Sequence, residues 1–579
     1  MTEPWTLALA VATGGLLAHK AYRRAQLSLA KHPSLTGHAK MARRVSRLLP
    51  GYHLQEQAFY AADGADAALQ QRRRSGFERL AATLNERHAR SLALTRQARP
   101  FISDLQFTAA YRVPPPFSRQ VRAQLGLGAF LQRADGFIVT DLDGQEFYDL
   151  TGSYGVNLFG HEFYKRCLVE GQRRALDHGV LLGAYHPAVA DVAQRLCRLS
   201  GMDELSFHMS GTEAVMQAVR LARYHSGRNK LVRFCGAYHG WWGDVQPGPG
   251  NPVAAEHTYT LRDMDERSLR VLRSRKDIAC VLVNPLQALH PNRAAPGDSS
   301  LMGARQLQGA DLQDYADWLR RLRAVCSERG IALIFDEVFV GFRLGPGGAQ
   351  QRFGVQADLV TYGKTLGGGL PVGVVCGKAA WMKRFREDRP ADICFARGTF
   401  NAHPQVVCAM QVFLEQLERP EIQALFDGME ERWSGRAQRL NAALEKAAYP
   451  VQVKQLSTIW ALEFTQPGRY HWMLQFYLRA QGLLLSWVGS GRIVFSLDYR
   501  EADFDAVCER FLAACAAMRA DGWWDGAPPA QQLKRQRALE RLARAIKKRR
   551  AVPGVLLHAS TQWVWRAWCI GSISSPFRR

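Results

Sequence analysis

One lysine constrains this chain more than any other residue. Lys364 stands in residues 361–373, Thr-Tyr-Gly-Lys-Thr-Leu-Gly-Gly-Gly-Leu-Pro-Val-Gly, just after an apolar run and just before three glycines. A lysine so placed is held rigidly and partly desolvated, with backbone close to whatever it touches. Desolvation favours the neutral amine, and only the neutral amine attacks a carbonyl, so the setting suits a Schiff-base lysine. A lysine beside glycines is also an ordinary loop residue. Four further segments, in a fixed order along the chain, decide between the two readings.

Residues 331–338, Ile-Ala-Leu-Ile-Phe-Asp-Glu-Val, form an unbroken apolar run that ends in a carboxylate. The pattern predicts a buried parallel strand with Asp336 at its carboxyl end, where open α/β sheets bind their ligands. A carboxylate there can hold a protonated ring nitrogen; it can equally be a helix cap. Residues 209–223 begin Met-Ser-Gly-Thr-Glu and continue with apolar residues at helical spacing. A helix start built from Ser210, Gly211 and Thr212 offers free N–H groups to a phosphate, or is simply a capped helix. Residues 236–243, Gly-Ala-Tyr-His-Gly-Trp-Trp-Gly, place an aromatic between glycines, suited to lying flat on a planar group or to a tight turn. Residues 397–404, Arg-Gly-Thr-Phe-Asn-Ala-His-Pro, read as a loop with a hydroxyl that can reach a phosphate.

In this order the five motifs resemble the class III aminotransferases, fold-type I enzymes that use pyridoxal 5′-phosphate (PLP). The resemblance leans to the branch of glutamate-1-semialdehyde aminomutase and the aminotransferase domains of assembly lines. It runs from about Gly128 to about Phe511 and takes in residues 140–149 and 157–161. It implies an α/β fold: a large domain with a mostly parallel sheet, plus a small α+β domain assembled from both sides of it. The implied division is 101–155 and 416–525 for the small domain and 156–415 for the large one.

The resemblance also implies roles. Lys364 forms the Schiff base with the cofactor and moves the substrate proton. Asp336 pairs with the pyridine nitrogen. Val338 packs on one ring face and Tyr238 stacks on the other, with His239 beside it in the same loop. Ser210, Gly211 and Thr212 hold the phosphate, joined by Thr399 from a neighbouring subunit, which makes the active unit a homodimer. Gln287 is placed to bond the ring hydroxyl, although Asn284-Pro285-Leu286-Gln287 departs from the Glu-Pro that many members carry.

Substrate recognition is less legible. Arg119 falls near the aminomutase branch's carboxylate site and Arg492 near the site of many ω-aminotransferases, and each can equally be a scaffold ion pair. No acidic residue occurs between Ser486 and Phe495, which counts against a true glutamate-1-semialdehyde aminomutase. Three readings remain: an aminotransferase between an amino donor and a carbonyl acceptor, an aminomutase, and a non-catalytic scaffold tethered to a membrane. The aromatic stretch 470–477 reads as a small-domain helix face or as the wall of an apolar substrate path.

The flanks differ from the body in charge. Residues 1–100 hold 16 Lys and Arg against 6 Asp and Glu, and residues 531–579 hold 12 against 1. The stretch between them therefore carries only about +3 of the formal +24. Residues 1–100 read as a basic helical extension with breaks near Pro33, Pro50-Gly51 and Asp63-Gly64. Its apolar run 5–18 is shorter than the ~20 residues of a comfortable span and is followed by Lys20, Arg23 and Arg24. It is a candidate membrane anchor or a packing helix. Residues 526–579 form a basic aromatic tail. Its stretch 533–550 has the pattern of a basic amphipathic helix, and the tryptophans 563, 565 and 568 follow. The tail suits an anionic membrane surface or remains solvated, and its tryptophans favour lipid over nucleic acid. These features suggest a cytoplasmic enzyme, attached to the cytoplasmic face of a membrane if the flanks bind lipid, with a lipid-like or carrier-bound substrate. The 11 cysteines include no Cys-x-x-Cys pair, the usage of a reducing compartment, and no metal site is expected.

Overall fold

The computed structural model describes residues 4–31, 53–234, 237–246, 250–251, 253, 255–285, 312–466, 468–486 and 491–526. Its strands, in chain order, are β1 (Leu131–Asp135), β2 (Ile138–Asp141), β3 (Glu146–Asp149), β4 (Glu204–His208), β5 (Lys230–Phe234), β6 (Thr258–Leu261) and β7 (Ile278–Val283). They continue as β8 (Ala332–Asp336), β9 (Leu359–Gly363), β10 (Gly373–Gly377), β11 (Val451–Leu456), β12 (Ile459–Phe464), β13 (Leu483–Leu484) and β14 (Arg492–Val494).

Seven of these strands form the central sheet in the order β4-β10-β9-β8-β7-β5-β6. β9, β8, β7, β5 and β6 are mutually parallel, and β10 runs antiparallel to both of its neighbours. Every residue of β7, β8, β9 and β10 is buried, because helices cover both faces; this is why β7 and β8 read as unbroken apolar runs. The helix Gly211–Ser226 lays Ala214, Val215, Ala218, Val219, Leu221 and Ala222 on one face. These side chains recur at the i, i+3/i+4 spacing of an amphipathic helix.

Two smaller sheets flank the central one. β1-β2-β3 is an antiparallel meander extended by β13, which pairs parallel to β3 across more than 300 residues of chain. β11, β12 and β14 form an antiparallel sheet. Strands far apart in the sequence thus meet in one sheet.

The N-terminal residues 53–125 fold onto this small-domain layer. Helices occupy Glu56–Tyr60, Ala67–Arg87 and Ala89–Ala98, with Asp63 and Gly64 in a left-handed break between the first two. Phe59, Tyr60, Phe77 and Phe117 interlock edge-on or tilted with Tyr470, Trp472 and Trp523. The aromatic stretch 470–477 is therefore core: Tyr470, Met473, Leu474, Phe476 and Tyr477 are all buried.

Residues 5–18 lie in the first part of one helix, Pro4–Ala30. Its last turns pack on the helix Glu266–Ser274 and bury Ala30, and Lys31 bridges to Leu261 at the end of β6. Val11, Leu16, Leu17 and Tyr22 are exposed. Among the described residues no helix is long and apolar enough to cross a membrane. The breaks near Pro33 and Pro50-Gly51, Gln287, the basic stretch 533–550 and the tail tryptophans lie outside the described residues. The nine described cysteines are all free thiols.

Candidate active site

The site forms at the carboxyl ends of β8 and β9. Asp336 closes β8, and in the sheet register it faces Thr361 of β9, three residues before Lys364. Lys364 follows β9 directly, at φ +48°, in a sharp turn that ends at Gly368. A non-glycine residue in the left-handed region is held there by its surroundings, a form of strain common at functional sites.

Asp336 is buried beneath the loop that carries His239. His239 Nδ1 lies 2.7 Å from Asp336 Oδ2, and the backbone N–H of Val338 donates to Oδ1 at 3.2 Å. The His239 side chain is fully buried, and its Nε2 has no hydrogen-bond partner among the described residues. Burial pulls the Lys364 ammonium below the usual lysine range of 10.5; Arg492 and Arg343 add to the drop, and Asp336 opposes it. Lys364 Nζ sits 5.2 Å from the centroid of the Phe339 ring, and the Arg492 guanidinium approaches the same ring at 5.5 Å.

Against Val338, the helix Gly211–Ser226 presents its N-terminus. Ser210 caps it by accepting from Glu213 N at 3.3 Å. Glycines let the parts converge here. A Cβ on Gly211 would lie 2.6 Å from Val338 Cγ1, and one on Gly240 would lie 2.5 Å from Thr212 Oγ1. The Tyr238–Gly240 loop, the helix start and Val338 thus share one cradle. The cradle supplies a carboxylate–imidazole pair, a desolvated lysine and a helix N-terminus with two hydroxyls. That donor set fits a group with a ring nitrogen, an aldehyde and a phosphate, and so fits PLP.

The structure brings together Lys364, Asp336, His239, Val338, Ser210, Gly211, Thr212 and Arg492. Tyr238 stands at the rim, 59% exposed and within electrostatic range of Asp336. Thr399 is exposed on the surface of the chain. Arg119 is also exposed, on the helix Pro115–Gln124.

Three contributors escaped the sequence reading. Phe339 follows Val338 and lies beside Lys364. Arg343, fully buried, ties the site to three other segments: it donates to Asn157 O at 2.6 Å, Phe495 O at 2.9 Å and Thr458 Oγ1 at 3.0 Å. Burial pushes its guanidinium down to about 10. Gly155, at φ +97°, lets the 151–157 loop close over the site, since a Cβ there would fall 2.6 Å from the Phe339 ring and 3.3 Å from Lys364 Cδ. The run Gly-Phe-Arg after Asp336 and the Gly-Ser-Tyr-Gly of the loop were the available signals.

The Aminotransferase class-III family model matches residues 120–243 and 304–515. The glutamate-1-semialdehyde 2,1-aminomutase of Nitratidesulfovibrio vulgaris (strain DP4) is 33% identical over 409 residues, covering 66% of this chain and 92% of the relative. The enzyme of the same name from Geotalea daltonii is 30% identical over 390 residues, covering 64% and 85%. Among solved structures, a transaminase with PLP bound matches at 26% identity and a TM-score of 0.60, over 75% of this chain and 99% of its own. A glutamate-1-semialdehyde aminomutase from Pseudomonas aeruginosa PAO1 shares the fold, with a TM-score of 0.62 at 20% identity over 77% and 98%. The chain belongs to the class III aminotransferases, PLP-dependent enzymes of fold type I.

Proposed function

We propose that this enzyme moves an amino group between a donor and a separate carbonyl acceptor, and that Lys364 is its catalytic residue. The observation that carries the reading is a desolvated Lys364 amine set at the carboxyl ends of the same strands as the buried Asp336–His239 pair. When bound, PLP supplies the carbonyl that takes the amine and the conjugated ring that spreads charge from the substrate carbon. Lys364 Nζ removes and returns the substrate proton. Asp336, held by His239, keeps the ring nitrogen protonated. Ser210, Gly211 and Thr212 hold the phosphate, with Val338 and Tyr238 on the two ring faces and Gln287 at the ring hydroxyl.

A homodimer with shared sites is supported by the exposed apolar rim beside Thr399. Val180, Leu181, Tyr185, Phe395 and Phe400 are all exposed, and Arg397 links the two segments by donating to Gly183 O at 3.2 Å. Arg492 is the group we assign to the α-carboxylate of the substrate, because its charge lies beside Lys364. A cation there favours transfer between two amino or oxo acids over the internal rearrangement of an aminomutase. The exposed apolar turns of the first helix, followed by Lys20, Arg23 and Arg24, support contact with an anionic membrane surface and a lipid-like or carrier-bound substrate.

The test is the visible absorption of the purified full-length protein with PLP, before and after a panel of amino donors. A cofactor band that a donor bleaches, and that a separate oxo acid restores, is the expected result. Restoration by a donor-derived product alone, without any acceptor, would make the enzyme an aminomutase. Folded, dimeric protein that never develops the band would leave the fold as a scaffold.

A further inference from the structure

Arg112 is the residue the family resemblance does not account for. It ends the helix Ser103–Tyr111 and is half-buried. Among the described residues its guanidinium makes no hydrogen bond and no ion pair. Its backbone O accepts from Gln475 Nε2 at 3.5 Å, one helical turn before Arg479, and its charge acts on Tyr154 and Arg479. Arg479, on the helix Leu474–Ala480, is only 8% exposed. Its guanidinium lies 4.8 Å over the Phe147 ring and donates from Nη2 to Gly128 O at 3.2 Å. Its Nε is buried without a hydrogen-bond partner.

Two neighbouring cations in a desolvated place need a counter-charge. The acid within range of Arg479 is Asp141, which is already engaged. Asp141 accepts from His88 Nδ1 at 2.6 Å and from the backbone N–H groups of Asp143 and Gln145 at 2.9 and 3.0 Å. One carboxylate, already bonded three times, leaves the arginine pair with positive charge to spare. Burial lowers both guanidinium groups only to about 10, so both remain cationic at neutral pH.

The position of the pair relative to Lys364 follows from the 151–157 loop. Ser153 and Tyr154 both hold left-handed backbone, at φ +46° and +58°. Two consecutive non-glycine residues in that region mark a loop fixed in a costly shape. Tyr154 is the neighbour of Arg112, and Gly155, the next residue, abuts Phe339 and Lys364. One loop thus runs from the neighbour of Arg112 to the residue that abuts Lys364.

We infer that Arg112 and Arg479 form an oxyanion subsite that takes a second carboxylate or a phosphate of the substrate, with Tyr154 standing between it and Lys364. The assignment rests on the proposed reaction at Lys364 and narrows its substrate class to amines or oxo acids that carry a further oxyanion. It also moves the N-terminal anion contact from the exposed Arg119 to Arg112.

The test is calorimetric titration of PLP-saturated full-length protein, whose phosphate-binding turn is filled, with glutarate and with methyl phosphate. The wild type is expected to bind at least one of the two. Arg112→Gln is expected to weaken that binding about ten- to hundredfold, the worth of a charged hydrogen bond, and Arg112→Lys to recover part of it. Tighter binding of glutarate assigns a carboxylate substrate, and tighter binding of methyl phosphate a phosphorylated one. A wild type that binds neither anion overturns the subsite, and so does Arg112→Gln binding as tightly as wild type. Loss on Arg119→Gln with Arg112→Gln unaffected overturns it as well, in favour of Arg119. Should Arg112→Gln fail to fold, phenylglyoxal labelling of the wild type decides: glutarate or methyl phosphate must protect Arg112. Because titration needs no turnover, a protein that binds the anion but transaminates nothing separates failure of the proposed reaction from failure of the subsite.

Discussion

His239 Nδ1 and Asp336 Oδ2 are 2.7 Å apart in a setting that leaves the histidine ring no exposure to water. A carboxylate accepts here, so Nδ1–H donates and the pair shares its charge without solvent screening. A charge-assisted hydrogen bond of this kind is worth about 1.5–3 kcal/mol. His239→Ala is expected to lower kcat about ten- to hundredfold while PLP still binds. Asp336→Asn, which removes the charge itself, is expected to cost more than His239→Ala. Steady-state kinetics beside a PLP titration checks both, and equal, small effects would remove the pair from the proposed chemistry.

The Lys364 amine gives a pH prediction. Burial lowers its pKa below 10.5, so the reactive neutral fraction grows as pH rises and passes one half below pH 10.5. Asp336 raises this pKa and Arg492 lowers it. The rate at which the apo-protein captures PLP should therefore level off at a lower pH in Asp336→Asn and at a higher pH in Arg492→Gln. Stopped-flow absorbance across pH reads both shifts, and two variants moving in the same direction would contradict the electrostatics. Lys364→Ala should bind the cofactor reversibly and turn over nothing.

What was legible in the sequence was local. Lys364, Asp336 and Ser210–Thr212 sit at strand ends or a helix start, where an apolar run meets a polar residue, and such junctions survive in one dimension. Arg343 did not show itself because its partners, Asn157, Thr458 and Phe495, lie 115 to 186 residues away. Arg112 was passed over for Arg119 because motif spacing carries no information about which arginine is buried. The basic run Arg72-Arg73-Arg74 read as part of a basic helical extension. Helical geometry turns Arg73 to the same face as Phe77, Leu80 and Leu84, and so into the core.

Glu337 should respond to pH in the opposite sense from an ordinary surface acid. It is buried next to Asp336 and accepts from Ala349 N at 2.8 Å, and burial pushes its carboxyl from 4.5 up to about 7. As pH rises through 4.5 the unfolded chain releases this proton first, and the folded chain holds it until about pH 7. The stability it contributes is therefore present below pH 4.5 and falls away up to about pH 7, by on the order of 3 kcal/mol. Glu337→Gln keeps the shape and an accepting oxygen without that titration. Its unfolding free energy should exceed that of the wild type above about pH 7, and the gap should close toward pH 4.5. Urea titrations across this range would expose a variant whose difference from wild type does not change with pH.

Two adjacent arginines should differ sharply when replaced. Arg73 is fully buried and donates to four backbone carbonyls: Tyr60 O at 2.9 Å, Ala62 O at 2.7 Å, Gly522 O at 2.9 Å and Asp525 O at 2.5 Å. Its guanidinium also lies 4.6 Å over the Tyr470 ring. It thereby fastens the N-terminal helices to residues 522–525. Arg73→Met fills the volume but strands those carbonyls, for a loss on the order of 3–5 kcal/mol. Arg73→Lys should fare little better, because three donors on one nitrogen cannot span carbonyls that a planar fork reaches. Arg74, next in sequence, meets Glu56 at 2.8 Å on the surface, and its loss should cost less than about 1 kcal/mol. Urea midpoints measure the contrast. Limited proteolysis locates it, since residues 53–125 should become the first cleaved region in Arg73→Met and stay protected in Arg74→Gln.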